Sequence, residues 1–257
     1  MGTGAITSYI DVAQLVLYAF WIFFFGLIYW LQRESKREGY PMHSDRPGRA
    51  YVDGLLDMPP TKTYLMADGS TREAPHDRDM LPQALAAEPV AAFPGAPLDP
   101  IGNPMHAGVG PGAWTRRLDF PERLSDGSTV IVPLRRAPGM TVSPKDIDPR
   151  GLPVLGADGE VGGIVREIWL DRAEFIVRYL ELDIANGAKG PQVLLPMGFA
   201  KIGRDAVTVR ALMGHQFADV PRLRHPDEVT SLDEDRITAY YGAGTLYAEP
   251  GRAESLL

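Results

Sequence analysis

The sequence predicts a membrane-anchored, mainly-β protein: a single N-terminal transmembrane α-helix, a small antiparallel barrel in the cytoplasm, and a C-terminal helix. Three features predict it. An uncharged apolar run spans Val12 to Leu31, β-patterned stretches with tight turns run from Leu152 to Leu212, and an acid-opened helical pattern covers Asp227 to Tyr241. The implied organisation is a periplasmic tail at 1–11, a transmembrane helix at 12–32, a connecting region at 33–113, and a barrel domain with its helix at 114–257.

The anchor reads VAQLVLYAFWIFFFGLIYWL, with Gln14 its one amide. About twenty apolar residues are what a helix needs to cross roughly 30 Å of hydrocarbon. Tyr29 and Trp30 fall at its far end, where amphipathic rings favour the interface. A cleaved signal peptide needs a basic start and a shorter core. Here the only charge before the span is Asp11. Arg33, Lys36 and Arg37 follow the span and no Lys or Arg precedes it, so the positive-inside rule puts the N-terminus in the periplasm and the rest in the cytoplasm. Those cations also stand where anionic headgroups lie.

Beyond the anchor, 33–60 reads as an extended connector. Thr61 to Met66 is a strand candidate ending in an Asp68-Gly69 turn. Pro89 to Gly112 is too rich in proline for a helix or a central strand, and keeps a shape only by lying on something. From Leu152, LPVL and VGGIVREIWL flank an Asp158-Gly159 turn, EFIVRYLELDI continues as a long strand, and QVLLPM, FAKIG and AVTVRAL complete the set. Short strands with tight turns suit a small closed barrel or sandwich. Asp227 to Tyr241 reads as a helix with acids in its first turns, as the dipole prefers, ended by Gly242 and Gly244.

The chemistry is sparse. The chain has no cysteine, which excludes disulfides, thiolate metal sites and cysteine nucleophiles. A net charge of −7 argues against a nucleic-acid partner, which needs a basic surface. No G-x-S-x-G, H-E-x-x-H or G-K-[ST] motif occurs, and the loose G-x-G-x-G at Gly108, Gly110 and Gly112 is interrupted by Pro111. His43, His76, His106, His215 and His225 are scattered, with no pair at ligand spacing, so no metal site is expected. What remains is Asp171 and Glu174 flanking a turn, Arg178 four residues beyond Glu174 on the same strand face, and Glu228 opening the C-terminal helix. Spacing alone reads these as surface charges with one ion pair.

Four stretches carry a resemblance: YAFWIFFFGLIYWLQRESKREGYP, AFPGAPLDPIGNPMHAGVGPGAW, DPRGLPVLGADGEVGGIVREIWLD and DEDRITAYYGAGTLYA. Together they are similar to the H subunit of the photosynthetic reaction centre of purple bacteria, from the anchor to the last helix. The β section alone resembles the wider PRC-barrel group. The resemblance implies a subunit that binds no pigment and is not an enzyme. It caps the cytoplasmic face of the L and M subunits, shields their quinones and non-haem iron, and conducts protons to the secondary quinone. The complex it implies carries bacteriochlorophyll, bacteriopheophytin, quinones, carotenoid and iron on L and M. It sits among lipids of the bacterial inner membrane, with a bound cytochrome subunit and light-harvesting antenna as further partners. The family's proton-pathway positions fall on Asp171 and Glu174, with Arg178 and Glu228 in the same region and Glu122 near the point of proton uptake. Where some members carry two surface histidines, this chain has Asp126 and Ser128, so carboxylates, Asp126 among them, take over that role and transition metals are expected to bind less well. The alternatives are a membrane-anchored PRC-barrel adaptor for another complex and an anchored enzyme, which the missing motifs disfavour.

Overall fold

The computed structural model describes residues 11–40, 42–43, 51–52, 56–75, 85–93, 95–184 and 192–253. The tail at 1–10, His76 and the side chain of His43 lie outside the described residues. The chain forms two compact units, one of 1–84 with 93–95, the other of 85–92 with 96–257.

In the first unit, α1 spans Val12–Glu34 and is capped by Asp11, whose carboxylate accepts the Gln14 N–H at 2.7 Å. Its length is about 34 Å at 1.5 Å per residue, enough to cross a bilayer core. No residue of it is buried, and its aromatic rings stack on one another at helical spacing, Phe20 on Phe24 and Trp21 on Phe25. A single 3₁₀ turn, Ser35–Arg37, follows. Then come two antiparallel pairs, β1 (Met42–His43) with β2 (Tyr51–Val52) and β3 (Lys62–Leu65) with β4 (Thr71–Ala74). The expected Asp68-Gly69 turn joins β3 to β4. The Asp68 carboxylate accepts from the Ser70 hydroxyl (2.6 Å) and N–H (2.9 Å), which hold it below the usual carboxylate range.

The second unit opens with a two-stranded ribbon, β5 (Ala87–Pro89) and β6 (Leu98–Pro100). This pairing fits the expectation that the proline-rich stretch is neither a helix nor a central strand. A ribbon has no central strand, so prolines at its ends forfeit no ladder bond. Seven further strands make the barrel: β7 (Ile131–Pro133), β8 (Pro153–Leu155), β9 (Val161–Asp171), β10 (Ile176–Ile184), β11 (Gln192–Pro196), β12 (Ala200–Ile202) and β13 (Val207–Val209). Their hydrogen-bonded order is β11-β10-β9-β8-β13-β12, with β7 also on β9. All pairs are antiparallel except β8 with β13. Trp169, Leu180, Leu182, Leu195, Phe217 and Ile237 fill the interior, each 0% exposed. Burial of each such side chain contributes about 1.5–3 kcal/mol.

The last helix, α2, spans Ser231–Tyr247 rather than the expected Asp227 to Tyr241. Thr230 and Asp233 form a reciprocal capping box that starts it four residues later, a Thr-x-x-Asp signal in the sequence. It also runs through both glycines expected to end it. A β-carbon at Gly242 would stand 2.3 Å from the Pro111 carbonyl oxygen, and one at Gly244 would stand 2.3 Å from that of Ala211. Gly112, opposite, would place a β-carbon 2.8 Å from that of Ala243. These glycines let backbone meet helix, so Gly112 serves packing, while Gly110, with φ of 58°, serves the turn before it. The end of the proline-rich segment at Pro111 and Gly112 thus lies on α2.

Candidate functional site

The β9–β10 hairpin is the centre of the candidate site. Asp171 ends β9, pairing with Ile131 of β7 and Ile176 of β10, and is only 6% exposed. One oxygen of its carboxylate accepts the N–H groups of Ala173 (2.8 Å) and Glu174 (3.0 Å), and its carbonyl accepts the Phe175 N–H at 2.9 Å. Asp171 therefore shapes the turn as an Asx cap while leaving its second oxygen unbonded among the described residues. Glu174 sits at the exposed tip, its carboxylate without a partner among the described residues. Next to it Phe175 has φ of 58° and is 76% exposed. A bulky residue in the left-handed region is strained, and such strain concentrates at functional sites.

Arg178 departs from the expected face relation with Glu174, because Glu174 lies in the turn and not on the strand. The β9–β10 register shifts between Val177 and Tyr179, which leaves Arg178 as the extra residue of a bulge. Successive strand residues normally point to opposite faces. The bulge instead lets Arg178 (3.3 Å) and Tyr179 (2.7 Å) both donate to one oxygen of Glu234, in the first turns of α2. Burial opposes the Arg178 charge, but Glu234 outweighs it, with Tyr179 and Asp171 adding Coulombic support, and the guanidinium's pKa is raised. Burial, then the charge of Glu234, push the Tyr179 phenol upward, so it remains a donor.

Glu122 and Asp126 lie on a small hairpin. Val130 N–H bonds to the Glu122 carbonyl at 2.9 Å and Leu124 N–H to that of Ser128 at 2.8 Å. The Asp126 carboxylate accepts from the Ser128 hydroxyl and, at 2.8 Å, from its N–H. Those bonds, with the charge of Arg172, hold Asp126 below its usual range. Arg172 ties this hairpin to the β9–β10 tip: its backbone N–H reaches the Val130 carbonyl (3.0 Å), and its guanidinium donates to that of Thr129. The fold therefore brings Glu122, Asp126, Asp171 and Glu174 to one end of the barrel, with Arg178 behind. Glu228 stands apart. It is half-buried in the turn before α2, bridged by backbone to His225, and its carboxylate touches none of the others.

Two features escaped sequence reasoning. No local pattern sets Arg172 apart beside Asp171, and Glu234 is one acid among several. A second cluster sits on the barrel wall. Glu167 and Glu181 face each other across β9 and β10, both buried. Glu181 accepts the Trp169 indole N–H at 2.8 Å, and Arg135 stands 3.3 Å from Glu181 and 3.7 Å from Glu167. Arg135 and Arg136 also reach Asp227, which they keep below the carboxylate range although burial pushes the other way. The alternating pattern of VGGIVREIWLD hinted that Glu167 was buried, but not what held it.

At the end of α1, Tyr29 and Trp30 are exposed, and the Lys62 ammonium stands 6.0 Å from the Trp30 ring. The three cations divide. Arg33 is half-buried with an unpartnered Nε, Lys36 is 1% exposed and donates to the Leu56 carbonyl, and Arg37 donates to Glu34 (2.7 Å), the Pro60 carbonyl and the Ala74 carbonyl (3.1 Å). Lys36 and Arg37 thus fasten the connector at 56–75 to the helix end. Among the described residues no group of three or more acids and histidines is placed to hold a metal ion.

Comparison with known families covers most of the chain. Residues 145–216 match the PRC-barrel domain, which agrees with the strands from β8 to β13. Residues 4–136 match the photosynthetic reaction centre H-chain N-terminal region, more than half of the sequence and the whole of the anchor and connector. An apolar anchor, a PRC-type barrel and that match together place this chain in the H-chain family of the photosynthetic reaction centre.

Proposed function

We propose that this reaction-centre subunit caps the cytoplasmic face of the L and M subunits and conducts protons through the β9–β10 end of its barrel toward their quinone region. The observation that carries the proposal is the make-up of that end. Exposed carboxylates at Glu122, Asp126 and Glu174 stand beside a buried one at Asp171, and the adjoining Phe175, Ile176 and Val177 are apolar and 76%, 45% and 41% exposed. Such an apolar edge suits a surface covered by partner chains. The charges beside it suit a route rather than a seal.

In this reading the rim carboxylates collect protons from the cytoplasm, since negative charge raises their local concentration. Asp171 passes them on through waters at its free oxygen, while its bonded oxygen keeps the turn in shape. Arg178 and Tyr179 stay protonated and serve as fixed donors that hold Glu234 in place. The quinones on the partner subunits supply the redox chemistry that consumes the protons. Within this topology the N-terminus is periplasmic, α1 crosses the bacterial inner membrane, and the chain that follows it is cytoplasmic. The pigments, iron and carotenoid belong to L and M, and cytochrome and antenna are neighbours of the complex.

Replacement of Asp171→Asn with Glu174→Gln tests the route. The asparagine retains an oxygen to accept the two turn N–H groups, so the hairpin stays intact. In the assembled complex the double variant is expected to slow flash-driven proton uptake, and the electron transfer coupled to it, by roughly tenfold or more. Unchanged uptake overturns the route.

A further inference from the structure

The outer face of the β12–β13 hairpin carries a groove of about 570 Å³ lined by Lys201, Thr208, Arg210, Thr245 and Arg252 among others. Its lining holds three cations and no carboxylate, in a chain whose acids outnumber its bases by 33 to 26. The alternation of β13 places them there: Val207 and Val209 point into the core, so Thr208 and then Arg210 point out. Lys201 pairs with Thr208 across the hairpin and joins the same face. Arg252 arrives from the chain after α2 and is fixed in place. Its Nη1 donates to the carbonyls of Arg210 (2.9 Å), Gly244 (3.0 Å) and Ala211 (3.3 Å), and its Nε reaches Glu249 at 3.3 Å.

Elsewhere on the barrel Arg135, Arg136, Arg150, Arg166, Arg178 and Arg224 are all spent on carboxylates. Lys201, Arg210 and the Nη2 of Arg252 have no partner among the described residues. Like charges gathered in a concavity repel one another, and an anion seated between them relieves that repulsion. The α2 carbonyl end opposes an anion, but Arg252 already takes the Gly244 carbonyl and blunts that field. Three separate cations around one hollow fit a tetrahedral oxyanion, which offers several oxygens, better than a planar carboxylate with two.

We infer that this groove is a binding site for a phosphate-bearing anion, separate from the β9–β10 end and independent of the proton route. Soluble phosphate esters and anionic lipid headgroups share the required chemistry. The test uses the intact complex in two arms, comparing wild type with Lys201→Gln/Arg210→Gln and with a charge-matched control, Arg116→Gln/Lys145→Gln. In the first arm, calorimetric titration at low salt with pyrophosphate is set against succinate. In the second, delipidated complex is exposed to mixed micelles of phosphatidylglycerol and phosphatidylcholine and the retained lipid is counted. Saturable pyrophosphate binding, weakened at least tenfold in the groove variant only, supports a soluble ligand. Preferential retention of phosphatidylglycerol, lost in the groove variant only, supports a headgroup. The inference is overturned if the groove variant and the control behave alike in both arms, or if succinate binds as well as pyrophosphate. The altered side chains are exposed, and co-purification of the variant subunits with the complex checks that they fold.

Discussion

At the residue scale, the same type of side chain takes different roles according to what surrounds it. Asp171 and Asp126 both cap turns, yet one is buried at the end of a strand and the other is exposed on a loop. Asp126 and Ser128 bond to each other and shape their own turn. Tyr241 shows the opposite case. It is 0% exposed, stacked 5.5 Å from Phe199, and its hydroxyl has no hydrogen-bond partner among the described residues. A buried unsatisfied hydroxyl costs about 1–3 kcal/mol. Tyr241→Phe removes it with little change of shape. Thermal unfolding of the full chain is expected to show a Tm raised by roughly 2–4 °C, corresponding to about 1 kcal/mol. A fall in Tm would mean that the hydroxyl is satisfied.

At the element scale, the contrast between helix α2 and its sequence reading is instructive. Its glycines look like stop signals because glycine lowers helix propensity by about 1 kcal/mol relative to alanine. Packing overrides that local preference, since backbone from Ala211 and Pro111 presses onto the helix at Gly244 and Gly242. Gly244→Ala should therefore destabilise the protein despite its better propensity. The methyl group must displace a carbonyl oxygen, and overpacking of this kind costs about 1–3 kcal/mol. The control is Gly251→Ala, where a β-carbon meets nothing within 4 Å. Denaturant unfolding should show a lowered midpoint for the first substitution and none for the second. If Gly244→Ala is neutral, propensity governs that helix after all. Strand β10 teaches the same lesson, because one bulged residue turned Arg178 to the side of Tyr179 and so to Glu234.

At the scale of the whole molecule, the reading of this chain as part of a larger assembly makes a simple prediction. Extracted from its source membranes in mild detergent, it is expected to come out with two larger pigment-bearing chains that absorb in the near infrared; a colourless preparation would contradict the capping role. Much of this was legible in the sequence. The span from Val12, the Asp158-Gly159 hairpin and the strands of the barrel depend on local patterns: apolar length, period-two alternation and a turn residue with positive φ. Residues such as Asp171 and Glu174 stood out only through resemblance, since their spacing alone read as ordinary surface charge. What the tertiary structure decided was partnership. Arg172 joining two hairpins, Glu234 shared by Arg178 and Tyr179, Arg135 between Glu167 and Glu181, and Lys36 and Arg37 turned inward under the connector all link residues distant in the chain. Local sequence sets which face of an element is apolar, because that depends on neighbours along the chain. Which charge meets which depends on register, bulges and close backbone approach, and those are fixed only when the elements pack.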